Sequence, residues 1–473
     1  MNNVLKRVTS LPAYGSDLEN LWQQERTAFS HKIIVLDDDP TGVQTVHGVP
    51  VFTDWSEETI TAMFQEERQM VFLLTNSRAF STDKTRQVHT EIAERIARVA
   101  EQQKQAFLLI SRGDSTLRGH YPLETVVLKE SLEKESSLHF DGEIILPFFK
   151  EGGRETIDDI HYVKQGDNYT PAGDTEFAKD RMFGFSSSNL KEWVAEKTAE
   201  AYPKDSVLSI SLDELRALNF TAMTDKLLQL KNFQKLIVNA VSEEDVKAFS
   251  IALLRAINKG GNYLFRTAAS FTKVIGDISS KPYLTKEDLI TEATSTGGLI
   301  VVGSHVQKTT AQLNRLKELS SLYYIEFDCH LVTNEEQFGI EISRIQQLIN
   351  TKISEGTDVC VYTSRERLDL EDGREEEELA LSVKISNAVT QFVHECSPHP
   401  RYVIAKGGIT SSDVGTIGLE VKKAEVIGQI APGVPVWRTG GDSRFPHIPY
   451  VIFPGNVGED DTLKKVVQKL QSN

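Results

Sequence analysis

Unbroken apolar runs of four or five residues recur along the first half of the chain, and each one opens onto a short polar loop. Residues 33–36 lead into Asp37-Asp38-Asp39-Pro40-Thr41-Gly42, and 71–74 into Thr75-Asn76-Ser77-Arg78. Residues 106–110 lead into Ser111 through Gly119, and 144–148 into the region of Lys150-Glu151-Gly152-Gly153-Arg154. Runs without alternation predict strands covered on both faces, as in a parallel sheet. Between the second and third runs, Val88, Ile92, Ile96 and Val99 fall at helical spacing in a helix starting at Ser81. Strand, polar loop, helix, strand is the βαβ rhythm of a doubly wound sheet. A short strand is expected over 49–53, polar helix over 1–30, and further strands over 206–212, 235–239 and 263–266. A helix carrying Phe249, Leu253 and Ile257 precedes the last of these. Residues 150–185 have no periodicity and are rich in Gly, Asp and Thr. So long a polar stretch inside a domain reads as a functional excursion rather than a plain linker.

Residues 277–296 are polar, with one proline and several Ser and Thr, and predict a connector. The boundary falls near 285–295, giving domains over 1–285 and 295–473. The rhythm then restarts with the run 299–302, followed by Gly303-Ser304-His305. Strands are expected at 322–327, 358–363, 402–405, 425–430 and 449–453. A helix over about 376–395 has Leu381, Ile385, Ala388, Val389 and Phe392 on its apolar side. The fold class is therefore α/β, as two α/β domains with mostly parallel sheets.

Composition narrows the functional classes. At 473 residues, 40% hydrophobic and 25% charged, the chain has ordinary globular composition. A net charge of -16 argues against nucleic-acid binding, which needs a basic face, and against docking on an anionic membrane. The three cysteines, Cys329, Cys360 and Cys396, form no C-x-x-C pair, which fits a reducing compartment. No apolar run reaches 18 residues, and the first 20 residues have no secretory h-region, so a cytoplasmic location is expected.

If the predicted strands are parallel, the loops after them crowd one edge, where open α/β sheets bind ligands. In the first half that edge carries Asp37, Asp38 and Asp39 together with Arg112 and Arg118. Three adjacent carboxylates in such a place need a cation, a proton or a polar substrate, although a solvated turn would also use Asp and Gly. Guanidinium groups grip a carboxylate at two points, and aspartates accept from hydroxyls. Such a mixed pocket suits a small sugar acid. In the second half, Gly303-Ser304, Lys406-Gly407-Gly408-Ile409-Thr410-Ser411-Ser412 and Pro454-Gly455-Asn456-Val457-Gly458 each follow a predicted strand. Their freed backbone N–H groups suit the phosphates of a nucleotide. There is no G-x-x-x-x-G-K-[ST], no G-x-G-x-x-G after a strand and no protein-kinase motif set. His47, His161 and His305 form no recognisable triad and are read as structural.

The strings Asp37-Asp38-Asp39-Pro40-Thr41-Gly42, Asp114-Ser115-Thr116-Leu117-Arg118-Gly119, Gly407-Gly408-Ile409-Thr410-Ser411 and Pro454-Gly455-Asn456-Val457-Gly458, in that order, resemble the four-carbon acid sugar kinase family. Gly153-Arg154 and Thr175-Glu176-Phe177 are similar to that family's middle segment. The resemblance covers nearly the whole chain. It implies an N-terminal substrate domain and a C-terminal nucleotide domain, with ATP phosphorylating threonate, erythronate or 3-oxo-tetronate in the cleft between them. Asp38 or Asp39 would then orient or deprotonate the acceptor hydroxyl. Asp37, Thr41, Gly42, Asn76, Arg78, Arg112, Asp114, Ser115, Arg118 and Gly119 would bind the acid sugar. Ser304, Gly407, Gly408, Ile409, Thr410 and Gly455 would contact ATP. Mg²⁺ is expected because ATP brings it, and its protein ligands are not assigned. The family often has Glu where this chain has Ile409. The partners implied are small molecules, and a homo-oligomer is allowed.

Two other classes compete. Asp37-x-Asp39-x-Thr41 after an apolar strand fits the D-x-D-x-T pattern of haloacid-dehalogenase-type phosphatases, with Asp37 as nucleophile. That reading leaves the second half and the D-S-T-L-R-G loop without a role. A non-catalytic sugar-acid or nucleotide sensor is the third class. ADP formation that depends on an acid sugar separates the kinase from both.

Overall fold

The structure is a computed structural model and describes residues 3–292, 294–366 and 375–471. The chain divides into two compact units. The first comprises residues 1–46 and 54–280, and the second 47–53 and 281–473.

In chain order the strands up to residue 280 are β1 (Lys32–Asp37), β2 (Val49–Phe52), β3 (Met70–Leu74), β4 (Phe107–Arg112), β5 (Gly142–Leu146), β6 (Arg154–Ile157), β7 (Ile160–Gln165), β8 (Asn168–Pro171), β9 (Leu208–Ile210), β10 (Gln234–Val238) and β11 (Tyr263–Thr267). The main sheet of the first unit runs β3-β1-β4-β11-β5-β10-β9, with every neighbouring pair parallel. Ile33, Ile34 and Val35 are wholly buried, as an unbroken apolar run requires when helices cover both faces. One such cover is the helix Thr82–Gln103. Ser81 caps it by accepting from the Lys84 N–H, and it buries Val88, Ile92, Ile96 and Val99. From β1 the chain goes out to β3 and then crosses back to β4. The gap beyond the carboxyl ends of β1 and β4 is thus a topological switch point.

Residues 154–171 differ from expectation. They form a separate antiparallel sheet, β6-β7-β8. Its strands have four to six residues and turn tightly at Asp158-Asp159 and Gly166, all at positive φ. Strands this short offer too few alternating positions for periodicity to show.

The remaining strands are β12 (Leu299–Val302), β13 (Leu322–Phe327), β14 (Asp358–Thr363), β15 (Val403–Lys406), β16 (Lys423–Ala431), β17 (Val434–Thr439) and β18 (Pro449–Phe453). The second unit's sheet runs β13-β14-β12-β15-β18-β17-β16-β2. The five strands from β13 to β18 are mutually parallel, and β17, β16 and β2 continue it antiparallel. Its switch point lies beyond β12 and β15. The helix Glu375–His394 matches the expected one, with Ala388, Val389 and Phe392 buried. β17 escaped the pattern because Pro435 stands inside it, beside a register shift between Gln429 and Ala431. The three cysteines are free and buried. Among the described residues no helix is long and apolar enough to cross a membrane.

Candidate functional site

Asp37 is the last residue of β1, so Asp38 and Asp39 leave the sheet directly at the first switch point. Across from them β4 ends at Arg112, which pairs in register with Asp37. The Asp38 carboxylate accepts two bonds from Arg78, from Nη2 at 2.6 Å and Nε at 3.1 Å, and Arg112 Nη1 lies 3.6 Å away. Asp37 Oδ1 accepts from Arg112 Nη1 at 3.4 Å. Its other oxygen, Oδ2, is buried without a hydrogen-bond partner among the described residues. Burial pushes the Asp37 carboxyl up to about 7; Arg112 opposes the rise, and Asp38 and Asp39 add to it. Asp39 is held differently. Its Oδ1 accepts from the Thr41 N–H at 2.8 Å and hydroxyl at 2.5 Å, and its Oδ2 from Arg78 Nη1 at 3.3 Å. The Asp37 and Asp38 side chains are each 2% exposed, and that of Asp39 is 19% exposed. Asp39 is therefore the carboxylate of the three that a solute can reach.

Glycines shape this edge. A Cβ at Gly42 would lie 2.0 Å from both Asp37 oxygens, so a side chain there would evict the carboxylate. The same packing covers Asp37 and does not fit the exposed nucleophile that the phosphatase pattern needs. A Cβ at Gly113 would meet the Arg266 guanidinium at 2.3 Å. Arg266 in turn pairs with buried Glu124, which also accepts from Ser77 Oγ at 2.6 Å. Burial would raise the Glu124 carboxyl, but Arg266 and its other partners override this and hold it at about 2.

The loop after β4 closes the site. Asp114 accepts from the Thr116 hydroxyl and, at 2.7 Å, from Arg118 Nε. Burial would raise Asp114, yet Arg78 and Arg118 hold it below the usual carboxylate range. The Ser115 carbonyl accepts from His161 Nε2 at 2.8 Å, and Thr156 meets His161 Nδ1 at 2.9 Å. Burial drives His161 down to about 4, so it is a neutral strut, as read from the sequence. Asn76 sits in the left-handed region at φ 54, its N–H donating to the Asp37 carbonyl at 3.4 Å. The first-half candidates thus gather on one edge. The sequence did not reveal Arg266 and Glu124, which lie outside the motifs and act as a buried brace. Arg154 was visible in the loop after the fourth apolar run and again in the resemblance, and Phe177 only in the resemblance.

In the second unit three loops converge at the other switch point. Gly303 follows β12, and a Cβ there would strike Thr410 Oγ1 at 2.3 Å. Gly407 follows β15 at φ +128, and its Cβ would lie 3.0 Å from Ser304 Cβ. Gly455 follows β18, with the Ser304 hydroxyl 3.6 Å from its Cβ position. Ser304, Gly407, Thr410 and Gly455 are therefore neighbours. Gly408 has open space beside it, and Ile409 is 65% exposed. Two cations were not among the candidates. Arg365 Nη2 donates to the Ser304 carbonyl at 2.5 Å, and buried Lys406 donates to the carbonyls of Pro454 at 2.5 Å and Gly455 at 3.1 Å. Arg365 lies beyond β14 without a glycine signature, and a lysine ending an apolar strand reads from sequence as merely polar. Burial, with the charge of Lys308, drives Lys406 down to about 7. Among the described residues no group of three His, Cys, Asp or Glu side chains is placed to hold a metal ion.

Solved structures with this architecture include the Haemophilus influenzae protein HI1011, at TM-score 0.62 and 15% identity over 92% of this chain and all of that one. They also include a Salmonella typhimurium LT2 protein provisionally called a tRNA synthase, at TM-score 0.67 and 15% identity over 94% of this chain and all of that one. At such identity the likeness establishes the fold. No curated protein matches the sequence. Residues 33–275 match the family described as the sugar-binding N-terminal domain, and residues 299–463 the nucleotide-binding C-terminal domain. The chain belongs to the family built from that sugar-binding domain followed by that nucleotide-binding domain.

Proposed function

We propose that the protein is an ATP-dependent kinase that phosphorylates a hydroxyl of a four-carbon acid sugar of the threonate, erythronate or 3-oxo-tetronate class. The observation that carries this reading is the graded exposure of the aspartates, with reachable Asp39 standing over two buried carboxylates tied to arginines. Asp38 is occupied by Arg78, so its part is to fix that guanidinium. Asp39 accepts the hydroxyl proton as the hydroxyl oxygen bonds to the γ-phosphorus and the bond to the ADP oxygen breaks. In such transfers positioning and charge balance supply most of the rate. The glycine cradle of Ser304, Gly407, Gly408, Ile409, Thr410 and Gly455 takes the phosphates of ATP. Mg²⁺ would come with ATP and would neutralise phosphate charge there.

The test is ADP release across a panel of four-carbon acid sugars and their 2- and 3-oxo forms. Asp39→Asn should lower kcat about 100-fold or more, with KM for ATP unchanged. ADP release that ignores every acid sugar would sink the reading. Phosphate release from a sugar phosphate without ATP would favour a phosphatase instead.

A further inference from the structure

The arginines at the mouth of the first unit's sheet are not equally committed. Arg112 is buried against Asp37 and Asp38. Arg118 Nε is 2.7 Å from Asp114, and its Nη1 is 3.7 Å from Asp180. Arg154 has no carboxylate within ion-pair distance among the described residues. Its Nη1 donates to the Gly152 carbonyl, and its Nε is buried without a partner. Burial lowers its pKa and the charge of Arg118 adds to the fall, with Asp114 opposing it.

What surrounds Arg154 is built rather than incidental. Its guanidinium lies over the Phe177 ring at 5.5 Å, and Arg118 lies over the same ring at 5.1 Å. Its backbone exchanges two hydrogen bonds with Phe149, at 2.9 and 3.0 Å. The preceding Gly153, at φ +66, passes so near that a Cβ would meet the Lys164 carbonyl at 2.5 Å. The excursion after β5 thus fixes Arg154 at the sheet's carboxyl edge. Two like charges near one ring repel; Asp114 offsets this by pairing with Arg118 and attracting Arg154, yet among the described residues Arg154 has no ion pair of its own. A planar carboxylate fits two guanidinium forks, and both guanidiniums here lie near the Phe177 ring.

We propose that Arg154, with Arg118 and with Phe177 as their shared platform, binds the carboxylate of the acid sugar. This selects acids over neutral polyols. The substrate class rests on the kinase reading above. In this assignment Arg112 is a brace for the aspartates, and the acid-binding role is shared between Arg118 of the D-S-T-L-R-G string and Arg154 outside it.

The test is calorimetric titration of the full chain, without nucleotide, with D- and L-threonate, D- and L-erythronate, erythritol and threitol. At least one acid should bind the unaltered protein well and both polyols poorly. Arg154→Gln should weaken that acid about 10- to 100-fold and leave the polyols alone. Arg154→Lys keeps the charge but loses the fork and should fall between, which covers the case of a misfolded Gln variant. Unchanged acid affinity in either variant that folds overturns the proposal. So does equal weakening of acid and polyol, or no acid bound by the unaltered chain. Acid-selective binding that depends on Arg154 but leads to no ADP release would overturn the kinase reading and leave this site standing.

Discussion

Asp37 shows what a single buried carboxyl does to the pH dependence of stability. Its pKa rises from 3.8 to about 7 because burial outweighs the attraction of Arg112. The folded chain therefore holds a proton there that the unfolded chain has already lost between about pH 4 and 7. Stability from this group is full below about pH 4 and is lost as pH rises through 7. Asp37→Asn removes the titration and keeps the shape. Compared by urea unfolding, the variant should gain on the unaltered protein as pH rises from 5 to 8, by on the order of 3 kcal/mol at most. A pH-independent difference would mean that Asp37 stays ionised through its contact with Arg112. The sequence marked this trio of aspartates as the centre of the first site. It set Asp38 and Asp39 apart from Asp37 without choosing between the two, because the difference in their surroundings comes from Arg78 and Arg112, which are 40 and 75 positions away.

At the scale of elements, most strands were readable because parallel strands buried on both faces leave an unbroken apolar signature. β17, broken by Pro435, and the short strands β6 to β8 left none. The excursion was legible as a non-linker stretch, but where it carries Arg154 was not, since a hairpin's reach depends on turns rather than on composition. A comparable hidden link joins β15 to the loop after β18. Lys406 passes the Phe453 ring at 4.2 Å and ties the carbonyls of Pro454 and Gly455 from below. Its depressed pKa means that the unfolded chain alone binds this proton between about pH 7 and 10.5, so the group adds stability as pH rises through that window. Lys406→Met frees the loop. It should raise KM for ATP about tenfold while KM for the acid sugar stays put. A parallel rise in both would show that the lysine supports the whole enzyme rather than the nucleotide cradle.

At the scale of the molecule, chain order and spatial membership part company at β2. A four-residue apolar run, Val49-Pro50-Val51-Phe52, predicts a strand without saying which sheet receives it, because its partners are backbone groups common to every residue. The structure puts residues 47–53 in the second unit, where β2 pairs antiparallel with β16 from Lys423↔Phe52 to Val426↔Val49. The Gly48 N–H to Val426 carbonyl bond at 2.7 Å and the Thr53 N–H to Lys422 carbonyl bond at 3.1 Å extend the pairing at both ends. Cutting the chain at the connector therefore does not yield the second unit. A fragment of residues 281–473 lacks β2 and presents the ladder groups of β16 unpaired, the kind of edge that recruits other chains. Expressed alone, that fragment should elute from size exclusion as oligomers or aggregate. The same fragment with residues 46–54 supplied as a peptide in trans should shift toward monomer and unfold at higher temperature. A monomeric fragment whose melting temperature ignores the peptide would mean that β2 is a passenger on a sheet that closes without it.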